Sequence, residues 1–340
     1  MGKIISGEEI KKTLKNEVQP EYIAVAYVGI DWEDYIADGV AKLKEIIVSP
    51  TFGSNPRAIR QLVDKLGWDK VHFLKQLHAK IYIGEKLAAI GSFNLTKNGL
   101  GAETDDLEEA GVLLSDLESV KELADLYKGF EIKAKRQFPT TEGKKKALAE
   151  LEHFWNLAIS NDVLRKDNTN SSLANYEPLT DTDFYVCGYL NNGEWDEEVV
   201  KAEFQEPSFS SFKEKLQDYI SFRESDNIKE GSWVLSWKQN KDGQPNQNGA
   251  PRWIYIHKIV QKGLIGEDHP YTKVAIELKH KKIPPPPFDI GANEKEAIKK
   301  VLRLDKFNVF RTSSNEGEWS VEDTFKHLKE FVSSVKNNLI

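Results

Sequence analysis

At 340 residues the chain has room for about two domains, and its 39% hydrophobic and 30% charged residues make an ordinary globular balance. No stretch reaches the ~18 apolar residues of a membrane span, and the one cysteine, Cys187, excludes an internal disulfide or a thiolate metal cluster. The net charge of −7 divides as 19 Lys+Arg against 22 Asp+Glu over residues 1–140 and 28 against 32 over the rest, so neither half is a basic domain, although a local basic surface stays open.

The N-terminus lacks the apolar core of a signal peptide, and a reducing, cytoplasmic setting is expected. Ser6 and Glu9 have capping-box spacing, which predicts a helix over 6–18. Residues 22–28 form an apolar run of strand length, suited to a strand buried on both faces. A helix is expected over 34–42 and a second buried strand over 43–49, closed by Pro50. Pro56 is placed to open a helix over 57–66. Residues 71–74 read as a third strand, 111–114 as another, and 117–138 as a long helix. Strand alternating with helix, plus one hairpin, predicts an α/β sheet covered on both faces. Leu148, Leu151, Trp155, Ala158 and Ile159 form one apolar stripe on a helical segment over 140–165. The polar run 167–172 reads as a linker.

The second half carries Trp195, Trp233, Trp237, Trp253 and Trp319. Strands are expected over 184–190, 232–238, 252–260 and 273–279, and helices over 212–224, 294–302 and 321–335. Asp242-Gly243 and Asn248-Gly249 mark a long turn, and Pro284–Pro287 is a stiff extended run. The sum suggests a small β-barrel or half-barrel with helices.

The chemistry concentrates in residues 77–94. By alternation Leu77, Ala79, Ile81 and Ile83 share one strand face and His78, Lys80 and Tyr82 the other. With Gly84-Glu85-Lys86 as a three-residue turn, position 83 pairs with 87 and position 78 with 92. Ser92 then lies opposite His78, with Asn94 one pleat further along. Such a face suits phosphate. Donors such as Lys80, Asn94 and the Ser92 hydroxyl stabilise charge on phosphoryl oxygens. Neutral imidazole can attack phosphorus and divide the displacement into two steps.

His78-Ala79-Lys80 followed by Gly91-Ser92-Phe93-Asn94 resembles the His-x-Lys and Gly-Ser-x-Asn pattern of the phospholipase D superfamily. The resemblance extends to Leu95-Thr96, Asn98-Gly99-Leu100 and Glu109-Ala110-Gly111-Val112, over about residues 20–138. His280-Lys281-Lys282 and His327-Leu328-Lys329 also match His-x-Lys, but no Gly-Ser-x-Asn follows them. The aspartate that the family places five residues after the lysine is Glu85 here, which reads as a turn residue. Glu109 is the family-matched carboxylate for holding the His78 ring, with Asp105, Asp106 and Glu108 as neighbouring alternatives.

The resemblance implies a phospholipase D-like mixed sheet over 1–138, a helical linker over 139–172, and an α+β pseudobarrel-type DNA-recognition domain over 173–340. A single motif copy resembles the nuclease branch, and the layout resembles the metal-independent restriction endonucleases. It implies DNA hydrolysis through a phosphohistidine by a homodimer sharing one active site, with no metal and no cofactor. ATP would enter only through a separate helicase or ATPase subunit, since the chain lacks a Gly-x4-Gly-Lys-Ser/Thr loop. A ribonuclease, a nonspecific nuclease or a phospholipid phosphodiesterase of the same superfamily are the alternatives. Candidate DNA contacts are Arg57, Arg60, Arg252, Lys258, Lys262, Lys279, Lys281 and Lys282. Gly231–Trp237 and Trp253–His257 faintly resemble barrels with an aromatic base pocket, which makes Trp233, Trp237, Trp253 and Tyr255 its candidate walls.

Overall fold

The computed structural model describes residues 2–36, 42–100, 108–161, 163–164, 172–189, 193–240, 243–246, 249–266, 270–279, 281–311 and 319–339. Most of the linker at 167–172, Asp105, Asp106, Asp242, Asn248, His280 and most of the helix expected over 34–42 lie outside these residues. The described part of that last segment holds a 3-10 turn at Trp32–Tyr35. The chain folds as two units, Met1–Glu152 and His153–Ile340.

The first unit is built on a seven-stranded mixed sheet. Its strands are β1 (Lys3–Ser6), β2 (Tyr22–Val25), β3 (Glu45–Val48), β4 (Val71–Phe73), β5 (Lys80–Ile83), β6 (Ala88–Gly91) and β7 (Ala110–Leu114), in the order β1-β7-β6-β5-β2-β3-β4. β2, β3 and β4 are parallel, and the remaining pairs are antiparallel. The helices are α1 (Glu8–Lys12), which continues as a π-helical turn to Val18, then α2 (Pro56–Leu66), α3 (Lys97–Leu100), α4 (Leu117–Gln137) and the first part of α5 (Thr141–Ser160), which from His153 on belongs to the second unit. Ala24, Ile47, Ile81 and Ile83 face Val120, Leu123, Tyr127 and Ala134 of α4. Ile23, Val25, Ile46 and Val48, of the opposite parity, are also fully buried. The central strands are therefore covered on both faces, as their unbroken apolar runs predict.

Local signals mostly held. Asn55 caps α2 by accepting from the Arg57 N–H at 2.9 Å, with Pro56 at the first helical position. Asp116 caps α4 by accepting from Ser119 N–H at 2.9 Å. The capping box at Ser6 did not. Ser6 pairs with Ala110 in the sheet, so it is spent as strand, and the helix starts after Gly7 with no side-chain cap. Glu9 instead pairs with Lys3 at 2.6 Å.

The second unit comprises β8 (Tyr185–Tyr189), α6 (Glu197–Phe204), α7 (Phe209–Lys215), β9 (Leu216–Phe222), β10 (Trp233–Lys238), β11 (Arg252–Tyr255), β12 (Lys258–Val260), β13 (Lys273–Leu278), α8 (Ala292–Leu302), α9 (Glu322–Phe325) and α10 (Leu328–Lys336). Two three-stranded sheets form, β11-β10-β8 and β12-β13-β9. Side-chain parity layers them. Tyr185, Cys187, Val234 and Ile254 meet Ile220, Phe222 and Ala275 between the sheets. Trp233, Leu235 and Trp237 face α8 and α10 on one side, and Val274 and Ile276 face Val200 and Phe212 on the other.

Two expectations here are corrected. The strand expected over 252–260 is two strands in different sheets. The chain changes sheet at Ile256-His257, where the Ile256 N–H donates to Ser232 O and the His257 N–H to Ile276 O. The helix expected over 212–224 stops at Lys215, and Leu-Gln-Asp-Tyr-Ile-Ser-Phe continues as β9 because its alternating apolar residues are buried in sheet pairing.

Candidate active site

Strand directions bring the motif residues to one edge of the first sheet. β2 and β3 run toward it, β5 starts from it, β6 runs back to it and β7 starts from it. That edge therefore carries Tyr27, the loop after β3, His78, Ser92 to Asn94, and Glu109. The loop after β3 is tied to the end of β2, since the Asn55 N–H donates to Val28 O at 2.9 Å and the Ser54 hydroxyl reaches Ala26 O at 3.4 Å.

The hairpin register differs from the expected one by one residue. Ile81 pairs with Ile90, Tyr82 with Ala89 and Ile83 with Ala88. The Gly84 N–H donates to Leu87 O at 2.9 Å, so the loop proper is Glu85-Lys86. Gly84 packs directly on the Val18 carbonyl, where a Cβ would overlap that oxygen. With Gly84 in the ladder the turn is one residue shorter than expected. Ser92 consequently does not sit opposite His78. Its N–H donates to Ala110 O at 3.0 Å, and its hydroxyl bonds the Glu109 carboxylate.

His78 is exposed, while Lys80 beneath it is 6% exposed. Lys80 Nζ donates to the His78 carbonyl at 2.8 Å and stands 3.4 Å from His78 Nδ1. Burial lowers the Lys80 pKa, and the negative charge of Glu109 acts in the opposite sense. Asn94 Oδ1 accepts from the Tyr27 N–H at 3.0 Å, which turns its amide N–H groups away from that backbone. The Tyr27 ring meets the His78 ring edge-on at 6.4 Å between centroids. The Tyr82 hydroxyl, pushed well up by burial, donates to Phe93 O at 3.1 Å and fixes the strand leading to Asn94.

An exposed imidazole thus stands over a buried lysine, with an amide, a hydroxyl and a carboxylate on the same edge. Glu109 bonds Ser92 in this arrangement, and its charge reaches Lys80. Tyr27 and Gly53 escaped the sequence reading. Gly53 leaves the space in which the Tyr27 ring lies, and neither residue belongs to a motif.

The remaining cationic candidates are dispersed, whereas the aromatic ones meet in the core of the second unit. Arg60 is ion-paired with Glu152, and the Arg57 N–H serves the cap of α2. In the second unit Arg252 forks onto Asp218 at 2.6 and 3.1 Å and donates to Tyr189 Oη at 2.6 Å. Lys258 pairs with Glu203 at 2.9 Å, and Lys262 lies 3.8 Å from Glu224. Lys279, Lys281 and Lys282 are not buried. Trp237 is wholly buried and Trp233 is 6% exposed. Trp233 packs on Trp253 and Tyr255 at 6.0 and 5.1 Å between centroids. The Trp253 indole N–H donates to Phe288 O at 2.8 Å, and Tyr255 Oη to Asn156 O at 3.1 Å.

No family model and no curated protein matches the sequence. Among solved structures the chain is similar to NucT from Helicobacter pylori, at 19% identity over 38% of this chain and 94% of that one, with a TM-score of 0.30. It is also similar to Nuc from Salmonella typhimurium, described as a phospholipase D family member, at 15% identity over 38% and 93%, TM-score 0.29. A third is TrmBL2, an archaeal chromatin protein described as showing a novel mode of DNA binding, at 18% identity over 39% and 52%, TM-score 0.28. Scores at this level do not establish a shared fold. Among the described residues no helix is long and apolar enough to cross a membrane.

Proposed function

We propose that the chain is a phosphodiester hydrolase acting on DNA, of the phospholipase D-like nuclease type, in a restriction or antiviral role. The observation that carries this reading is the meeting of His78, Lys80 and Asn94 at one sheet edge, with Ser92 and Glu109 beside them. The His78 lone pair attacks phosphorus, and the P–O bond to the leaving strand breaks. A second histidine protonates the departing oxygen. Water then attacks the phosphohistidine, gives its proton to that second imidazole, and releases His78. Lys80 and the Asn94 amide stabilise the charge on the phosphoryl oxygens. A carboxylate holding the other ring nitrogen sets the tautomer, and Glu109 is assigned that role.

The chain carries one motif copy, so the second histidine is assigned to another subunit in a symmetric homodimer. Imidazoles and ammoniums supply the chemistry without a metal. Residues 173–340, expected as a pseudobarrel-type domain, are assigned target recognition, and any ATP-driven step belongs to a separate helicase subunit. RNA and phospholipid are the competing substrates.

The test is incubation with duplex DNA, single-stranded DNA, RNA or phosphatidylcholine in EDTA. DNA fragments that vanish with His78→Ala are the expected result. RNA-only or head-group-only release overturns the DNA reading, and activity retained by His78→Ala overturns the mechanism.

A further inference from the structure

His78 also borders a cleft of about 620 Å³ that no motif residue other than His78 and its neighbour Ala79 enters. Its floor is apolar, with Leu74 and Leu77 buried in the core beneath it. Its far wall is the last two turns of α4, which present Phe130, Lys133 and Arg136. These positions recur every three residues, so they share one helix face, with about 4.5 Å of rise between successive side chains.

The charge distribution on α4 is uneven. Lys128 and Lys135 are both held by Glu131, on another face of the helix. Lys133 and Arg136 are exposed, and among the described residues neither has a carboxylate partner. Lys133 Nζ lies over the Phe130 ring, 5.8 Å from its centroid. Among the described residues no acidic side chain lines the cleft. In a chain with seven more acidic than basic residues, a cleft that among the described residues has no carboxylate and two unpaired cations beside an exposed histidine is a selective feature.

We propose that this cleft binds the polynucleotide strand on one side of the phosphate presented to His78, with Lys133 and Arg136 on successive phosphates and Phe130 under a base. The proposal rests on the hydrolase reading for the phosphate it places at His78. Charge decides the class of ligand. A glycerophospholipid brings one phosphate, which His78 and Lys80 would already occupy, whereas a polynucleotide brings another at each residue. The volume is that of a small-ligand site and suits a few nucleotides of one strand rather than a duplex. An aromatic face beside a cationic track is the general design for single strands.

The experiment measures binding separately from cleavage. Fluorescence anisotropy of a labelled oligothymidylate is followed against salt in EDTA, for His78→Ala alone and combined with Lys133→Gln and Arg136→Gln. The double replacement is expected to raise Kd at least about tenfold at low salt. It should also flatten the slope of log K against log salt by about 1.4, at about 0.7 per phosphate contact on a single strand. Lys133→Arg with Arg136→Lys should keep the slope, which separates charge from misfolding. Phe130→Ala should weaken binding with the slope unchanged. Unchanged affinity and slope in the Gln variant overturn the proposal. So does intact oligonucleotide binding with lost binding to phosphatidylcholine vesicles. If the Gln variant behaves as expected but the wild type cleaves nothing, the cleft stands and the hydrolase reading falls. Cleavage by the wild type with unchanged Gln-variant binding gives the reverse.

Discussion

Within the proposed site, Lys80 is the residue whose surroundings say most about its task. It is almost fully enclosed, its pKa is lowered by burial, and its ammonium points back at the His78 carbonyl and ring. A donor fixed in this way costs little reorganisation when charge develops on phosphate. Lys80→Met is expected to lower kcat by about 10²–10³ with a small change in KM. Steady-state kinetics on a labelled oligonucleotide checks this, and an effect confined to KM would move Lys80 from catalysis to binding. Another enclosed titratable group, His72, lies away from the motif. Glu45, His72 and Glu131 bring ligand-type atoms within 4.8 Å of one another. Lys128 and Lys135 already hold Glu131, however, and Lys144 contributes further positive charge, so the trio reads as a balanced buried cluster. Burial, then Lys144, lowers the His72 pKa below 6.5, with Glu45 opposing. The unfolded chain therefore takes up the proton first as pH falls. The stability contributed by neutral His72 is complete above about pH 6.5 and is lost as pH drops toward the folded pKa. Urea unfolding between about pH 5 and 7.5 should show this slope, and His72→Phe should reduce it. An identical slope in the variant would show that His72 is not its source.

At the level of elements, the hairpin and the loop after β3 depend on close approaches that only glycine permits. Gly84 lies on the Val18 carbonyl, and a methyl there would overlap a backbone oxygen that cannot rotate away. Gly84→Ala is expected to destabilise the fold by about 1–3 kcal/mol, read as a lower denaturant midpoint. Gly53 is exposed in its loop but lies against the Tyr27 ring. Gly53→Ala should displace that ring from the edge of His78 and cut kcat at least about tenfold, with a stability change under about 1 kcal/mol. Full activity in this variant would remove Tyr27 from any positioning role. The elements also show where sequence patterns compete. Ser6-x-x-Glu9 has the form of a cap, yet three of the four residues from Lys3 are exposed and the segment pairs as an edge strand with β7. Residues 209–222 change from helix to strand at Lys215/Leu216 without a glycine or proline to mark it.

For the molecule as a whole, one motif copy per 38.7 kDa chain makes assembly part of the proposed chemistry. Light scattering is expected to give the mass of two chains. Adding excess His78→Ala subunits to the wild type, with time for exchange, should lower activity as the square of the wild-type fraction, because each shared site needs both histidines. A linear decline, or an active monomer, would dismiss the shared site. The two units are built differently, and each has its own core: a seven-stranded mixed sheet under helices in residues 1–152, and two three-stranded sheets between helix layers in residues 153–340.

The sequence alone determined the strand order's ingredients in the first unit, the hairpin, the cap of α2 and the identity of the motif side chains. These depend on local alternation, apolar runs and short spacings, which are written in consecutive residues. The tertiary structure decided the hairpin register, in which Gly84 packs on Val18, a residue far from it in the chain. It decided that Ser92 bonds Glu109 and that Asn94 is turned by the Tyr27 backbone. It decided as well which cations are spare among the described residues: Lys133 and Arg136 look like Lys128 and Lys135 in sequence, and the position of Glu131 on the helix surface separates them. Ion pairing and register are set by which surfaces meet, and neighbouring letters do not carry that information.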